Sequence, residues 1–559
     1  LLGKVFENLL AAYNPETRET ARKQTGSYYT PRAVVDYMVD EALVASLSES
    51  VAPDDGDRDL LRDRLHYLLD YADAFGDADT LFTESEREAI VRAIAEVKIL
   101  DPAVGSGAFP MSMLHKLTLA LRRLDERNEL WQALQKEKAT ERAAAAFDIH
   151  DHEERDKELD EISATFEKYR ADFGRKLYLI QNSIYGVDIQ PVATQIAKLR
   201  FFISLAIEQQ QDQDADNLGI RPLPNLETRF VAANTLLGLK EADRQLTLGQ
   251  TAQVNDLQRD INANRERHFH ANTRDKKKDC RDEDKRLRQL LADALRDANF
   301  DAADAAKIAA WDPYDQNNGA DWFDAEYMFG VSGGFDVVIG NPPYIQLQKD
   351  GGRLGKLYKD TGYLTFARTG DIYQLFLERG STLLRPSSGL LAFITSNSWL
   401  KAEYGKTTRR YFAERHTPLQ LLEMGKDVFE SAIVDSSILL CSEGTTAGKE
   451  TGLIDAVDIE SVAPANDSDE TFPPASHLWG QVRVAGDELW SILSLTEQSI
   501  MDKMNDVGTP LKEWDIEINY GIKTGYNKAF IIDNQTYRDE SLSSQGWGVT
   551  SAYDIIKVR

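Results

Sequence analysis

Near the middle of the chain stands the run Phe335-Asp336-Val337-Val338-Ile339-Gly340-Asn341-Pro342-Pro343-Tyr344. Proline makes up about 5% of ordinary sequence, so an adjacent pair between an asparagine and an aromatic, closing an apolar run, is a specific pattern. Each proline fixes its φ and removes an N–H, which leaves carbonyls pointing in set directions. Two acceptors result: the Asn341 side-chain oxygen and the Pro342 carbonyl could each take one N–H of a planar amino group. An amino nitrogen conjugated to a purine ring is a poor nucleophile because its lone pair is delocalised. Gripping both hydrogens would hold the nitrogen nearer to tetrahedral and aim its lone pair at a methyl donor. Tyr344 would stack on the base once it has left its helix. The same grip serves any planar amino group, so the tetrapeptide alone does not separate an adenine from a glutamine amide or a guanine.

A second constellation lies upstream, in Asp101-Pro102-Ala103-Val104-Gly105-Ser106-Gly107-Ala108-Phe109. It follows the strand-like Val97–Leu100 and precedes a helical stretch from Met111 to Leu124. Gly105 and Gly107 permit a tight turn and a close backbone approach, and the helix start offers free N–H groups to a nucleotide-type ligand. An acidic residue at the end of the next strand would hold a ribose diol. Asp188, followed by Ile189 in Tyr185-Gly186-Val187-Asp188-Ile189, fills that place. It comes much later than the roughly 20 residues of a dinucleotide fingerprint, a gap that the polar insertion at 125–175 accounts for. A phosphate-binding P-loop is absent: Gly351 to Lys356 has the wrong spacing and no following Ser or Thr. Cys280 and Cys441 are far apart, which argues for a reducing cytosol, no disulfide framework and no metal site.

The elements that must position these residues alternate. Strand candidates at Val97–Leu100, Ile184–Ile189, Arg229–Ala233, Phe335–Gly340, Leu390–Thr395, Leu419–Met424 and Ser436–Cys441 are separated by helical patterns such as Tyr373–Leu384. That alternation implies an α/β fold with a Rossmann-like, doubly wound parallel sheet. Residues 1–45 read as helical. Residues 1–95 form an N-terminal helical segment, and 96–445 a catalytic domain with helical insertions near 125–175 and 240–310. Residues 446–480, rich in Asp, Ser, Pro and Thr, read as a linker, and 481–559 as the start of a second domain. The charged insertion at 240–310 fits a solvated helical arm or, second, a DNA-contacting one.

Taken in order, Gly26-Ser27-Tyr28-Tyr29-Thr30-Pro31, the Asp101–Phe109 loop, Gly186-Val187-Asp188-Ile189 and Asn341-Pro342-Pro343-Tyr344 resemble the amino-methyltransferases that modify adenine N6 in DNA. The subgroup is the one with a C-terminal target-recognition domain. Thr369-Gly370-Asp371-Ile372-Tyr373, Thr395–Trp399 and Asn519–Asn527 are closest to type IIG restriction–modification enzymes and the similar methyltransferases of bacteriophage-exclusion systems. The resemblance implies S-adenosylmethionine as cofactor, with Tyr29, Thr30 and Pro31 at its methionine end. Asp101, Ala103, Gly105 and Gly107 would lie beneath it, Asp188 and Ile189 at the ribose, and Asn234 at the adenine, where the family often has Asp. Phe429 would be the aromatic on the other face of the base, or equally a core phenylalanine. Lys523 and Tyr526 would contact DNA, or equally be turn residues.

The implied partner is double-stranded DNA with a specific recognition sequence, in a prokaryotic cytoplasm. A nuclease domain or subunit would lie outside this chain, because Glu96-Val97-Lys98 and Glu283-Asp284-Lys285 have the residue types but sit in a strand and in the charged insertion. The opening Leu1-Leu2-Gly3-Lys4 and the ending at Arg559 read as a piece of a longer polypeptide. No apolar run reaches the roughly 18 residues of a membrane span. The net charge of -27 opposes a duplex unless cations are gathered in a cleft or the habitat is saline; solubility alone would explain it equally. The competing readings are a methyltransferase acting on release-factor glutamine or ribosomal RNA guanine, and a non-catalytic DNA-specificity subunit.

Overall fold

The computed structural model describes residues 13–14, 19–20, 30–51, 56–71, 78–146, 172–209, 223–239, 248–298, 300–425, 435–443, 453–458, 480–484, 486, 488–492 and 495–509. Two compact units divide the chain, Leu1–Ser494 and Leu495–Arg559. Of the second, the helix Leu495–Val507 is described.

The first unit is built on a nine-stranded sheet. In chain order its strands are β1 (Ile99–Asp101), β2 (Ile184–Asp188), β3 (Phe230–Ala232), β4 (Val337–Gly340), β5 (Leu390–Ser396), β6 (His416–Gly425), β7 (Ser436–Glu443), β8 (Leu453–Asp458) and β9 (Gly480–Arg483). Across the sheet they run β3-β2-β1-β4-β5-β7-β6-β8-β9. The first five are mutually parallel, while β7 is antiparallel to both β5 and β6. Strand order therefore reverses between β1 and β4, which is where an open α/β sheet leaves a crevice beyond its strand carboxyl ends.

Burial on both faces explains why these strands read as unbroken apolar runs. In β4, Val337 and Ile339 enter one hydrophobic cluster and Val338 the other. In β5, Leu390, Ala392 and Ile394 face one side, Leu391 and Phe393 the other. The first face is covered by the helices Arg32–Ser50 and Ala108–Leu124, whose buried positions include Met38, Val39, Leu43, Met113 and Leu117. The second is covered by Ile372–Thr382 and by the charged insertion.

That insertion is a helical hairpin, Leu248–His270 and Arg274–Asp297, with Thr273 capping the second helix through Lys276 N. Its inner face carries Ile261, Leu287, Leu291 and Leu295, all buried. Asp284 is fully buried between Arg265 (2.9 Å) and Arg288 (2.7 Å). The solvated arm expected from the charge pattern is thus a half-buried wall of the domain, because most of its charges fall on one face and its leucines on the other.

Three further expectations change. Among the described residues of 1–45 the helix runs from Arg32, and Tyr13–Asn14 pairs antiparallel with Glu19–Thr20. Inside the segment expected as a linker, β8 lies parallel to β6. Gly480–Arg483, expected to span the end of that linker and the head of a new domain, pairs with β8 at the sheet edge. Val482, Val484 and Trp490 are buried, so the apolar face of this edge extends the same core.

Candidate active site

The carboxyl ends of β1, β2, β3 and β4 carry Asp101, Asp188, Asn234 and Asn341. Gly105 (φ +50°) and Gly107 (φ +80°) have left-handed backbones that favour glycine. Gly107 caps the helix Ala108–Leu124, and a Cβ there would lie 3.1 Å from Ala197 Cβ. Above Gly105 the space is open: its Cβ would approach nothing closer than Ala103 O at 4.0 Å. Val104 N is tied to Val187 O at 2.8 Å, which locks the loop onto β2.

The two carboxylates organise this loop. Asp188 accepts hydrogen bonds from Gly105 N (2.9 Å) and Gln190 N (2.8 Å). Burial nevertheless pushes its carboxyl up to about 6, because desolvation outweighs both backbone donors. Asp101 accepts from Ala103 N at 3.1 Å and is raised well above the usual carboxylate range, first by burial and further by the charge of Asp188. Ile189, directly after Asp188, is 62% exposed, an apolar surface at the mouth of a crevice that a flat ligand would cover.

At the end of β4 the tetrapeptide lies against the glycine loop. A Cβ on Gly340 would come within 2.7 Å of Asp101 Oδ1, so the strand end is pressed onto that carboxylate. Asn341 donates from Nδ2 to Thr30 Oγ1 at 3.1 Å, and Thr30 and Pro31 lead into the helix Arg32–Ser50. The contact holds the amide by its nitrogen and leaves its oxygen on the other side. Pro342 is buried, Pro343 half-buried, and Pro342 O accepts no hydrogen bond among the described residues. Tyr344, half-buried, donates to Ile394 O at 3.3 Å and meets Tyr373 edge-on at 5.8 Å.

Asn234 is held on both sides of its amide. Its Oδ1 accepts Leu236 N at 3.1 Å, and its Nδ2 donates to Tyr358 Oη at 3.2 Å. A residue placed at an adenine by resemblance thus also fastens the helix Lys349–Tyr358, which follows the tetrapeptide, to the end of β3. A tyrosine at a helix end, as Tyr358 is, carries no sequence signal for this role. Asp371, part of a family motif in the sequence, holds the chain just past the tetrapeptide. Its Oδ1 accepts Ile345 N at 2.7 Å, while Ile372 N donates to Ile345 O at 2.9 Å. The backbone just beyond Tyr344 is clamped from both sides. Tyr29, Phe429, Lys523 and Tyr526 lie outside the described residues.

An open sheet of this strand order, with a glycine loop, a buried carboxylate and an asparagine at the switch point, defines the Rossmann-like methyltransferase fold class. Residues 182–429 match the family model of the Eco57I restriction-modification methylase. The chain is similar to RM.MjaORFECS2P of Methanocaldococcus jannaschii, whose name describes a type II restriction enzyme and methyltransferase. Identity is 25%, covering 81% of this chain and 38% of that protein. It is also similar to the type II methyltransferase M.PaeR7I of Pseudomonas aeruginosa, 29% identical over 36% of each chain. The chain thus spans little more than a third of the length of these relatives. The type IIL restriction-modification enzyme MmeI in complex with DNA overlaps 81% of this chain and 41% of its own, at 12% identity and a TM-score of 0.35, too loose an overlap to assign a shared architecture.

Proposed function

We propose that this chain is the modification module of a restriction–modification or related phage-defence enzyme. It transfers a methyl group from S-adenosylmethionine to N6 of an adenine turned out of double-stranded DNA at a specific recognition sequence. The observation that carries this reading is the Asn341 amide, anchored on Thr30 and standing at the switch point beside the Asp101 loop.

The residues present fit the donor. S-Adenosylmethionine supplies an electrophilic methyl group on a sulfonium centre. The open floor over Gly105, the Asp188 carboxylate and the exposed Ile189 offer a turn, a diol acceptor and an apolar face. Thr30 and Pro31 stand at the other side, next to Asn341. The Asn341 oxygen and the Pro342 carbonyl each take an N–H of the adenine amino group, and Tyr344 stacks on the ring. A purine amino group gripped this way loses conjugation and gains nucleophilicity. The leaving proton passes to solvent after methyl transfer. Base readout belongs to the segment beyond 481, with Lys523 and Tyr526 as contacts, and any nuclease to sequence outside this chain.

The deciding experiment is tritiated-methyl transfer to duplex DNA, ribosomal RNA and release-factor protein, each with the wild-type chain and Asn341→Ala. Label in the adenine N6 of DNA, abolished by the substitution, is the expected result. Label in RNA or protein but not in DNA would overturn the substrate, and label undiminished in the variant would overturn the site.

A further inference from the structure

The parallel strands have a second end. At the amino ends of β1 to β5, opposite the crevice just described, lies a cavity of about 300 Å³. Lys98 precedes β1, Arg229 precedes β3 and Arg385 precedes β5; with Arg265 from the helical hairpin they give the lining four cations against one acid, Glu266.

Ion pairing shows which of these charges are already used. Arg265 is paired with Asp284 at 2.9 Å, which it shares with Arg288, and Arg385 with Asp336 at 2.7 Å. Lys98 Nζ donates to the Asn182 carbonyl and has no carboxylate partner among the described residues. Arg229 is 7% exposed and likewise has no carboxylate partner among the described residues. Its Nη1 reaches the Thr228 carbonyl at 3.4 Å and its Nε has no hydrogen bond, while its flat face covers Tyr185 at 5.4 Å. Burying a guanidinium without a counter-charge is costly, and a chain of net charge -27 has acids in abundance to pair with it. Glu266 is exposed and stays in water.

The facing wall is a glycine turn, Gly330 to Gly334, with φ of +74° and +77° at its two ends. The backbone N–H groups of Ser332 and Gly333 make no hydrogen bond among the described residues. Solvent-facing amides with no protein acceptor, opposite an arginine and a lysine without carboxylate partners, form a cradle for negative charge.

We propose that this cavity binds a small phosphate-bearing anion, between pyrophosphate and a nucleoside monophosphate in size. Its volume stands at the lower end of small-molecule sites. The Arg229 fork takes two phosphate oxygens, Lys98 adds a point charge, and the Ser332 and Gly333 amides close over the third. A duplex phosphate does not reach an arginine buried to this depth. The site uses no residue of the carboxyl-end crevice, so it stands or falls apart from the methyltransferase reading.

The test is thermal unfolding of the chain saturated with S-adenosylhomocysteine, at constant ionic strength, with pyrophosphate, AMP or a duplex oligonucleotide added. Pyrophosphate or AMP should raise the midpoint saturably, by roughly 2–4 °C. Arg229→Gln should remove the rise. Gly333→Asp gives the same answer without disturbing the fold, because a Cβ there meets nothing within 4 Å and the new carboxylate stands at the phosphate position. No rise with either small anion, a rise that survives Gly333→Asp, or a rise with the duplex alone would each overturn the proposal.

Discussion

A single hydroxyl anchors the Asn341 amide. An asparagine amide has a donor and an acceptor end of nearly equal shape, and only the acceptor end suits an amino hydrogen. With Nδ2 on Thr30 Oγ1, the acceptor end is turned to the opposite side. Thr30→Val keeps the size but removes that anchor, a loss of about 1–1.5 kcal/mol or roughly tenfold in kcat. Thr30→Ser should recover most of the rate, while the affinity for S-adenosylhomocysteine changes little in either variant. Equal losses in both would place the effect in packing instead. Asp188 gives a pH signature. Its carboxyl is raised to about 6 in the fold, above the roughly 3.9 of an unfolded aspartate. As a raised acid it favours the folded state when protonated, and that advantage is lost as pH climbs from about 4 through about 6. Holding a diol needs the ionised form, so calorimetry should show S-adenosylhomocysteine binding weaken from pH 7 to pH 5. Asp188→Asn should bind weakly with no step near 6; a step that persists in the variant would assign the titration elsewhere.

At the level of elements, the tetrapeptide is a strand end whose direction is set by what flanks it. On the upstream side only glycine fits at position 340 against Asp101: Gly340→Ala puts a methyl 2.7 Å from Oδ1. On the downstream side Asp371 fastens Ile345, and the bond from Ile372 N completes the clamp. Asp371→Ala leaves the Ile345 N–H without its acceptor, so stability should fall by about 1–3 kcal/mol in a urea titration. Methyl transfer should fall further than stability explains, through kcat and not through the KM for the methyl donor. A variant with full activity would show that the clamp does not govern the tetrapeptide.

For the whole molecule, the charged hairpin is the element whose role most needs its surroundings. Asp284 sits between Arg265 and Arg288, all three almost wholly buried, and Arg265 also donates to Tyr327 O at 2.7 Å. This triad ties the hairpin to the segment that leads into β4, which ends at the tetrapeptide. Asp284→Asn leaves two buried arginines without compensation, a cost of about 3–5 kcal/mol. The urea midpoint should drop accordingly; a shift under about 1 kcal/mol would mean that water already reaches the triad. The same burial takes Arg265 and Arg288 out of reach of a duplex, whereas Arg274, Lys276 and Lys278 at the start of the second helix stay exposed.

The amino-acid sequence by itself determined the strands and the residues that stand at their ends, for one physical reason. Strands buried on both faces are written as short apolar runs, and a turn that must pass φ > 0 or meet a flat ligand is written in Gly, Asp, Asn and Pro. Asp101, Gly105, Gly107, Asp188 and Asn341 are legible on those terms. Tertiary structure alone decided what depends on neighbours distant in sequence. Thr30 meets Asn341 across more than three hundred residues, and Tyr358 and Asp371 act through hydrogen bonds no local pattern encodes. The charged hairpin and the segment after 445 are not legible in sequence, because charge and Pro/Ser content describe a solvated face equally well when the opposite face is buried. Arg229 gives no signal at all, since nothing in a sequence says whether an arginine will find an acid.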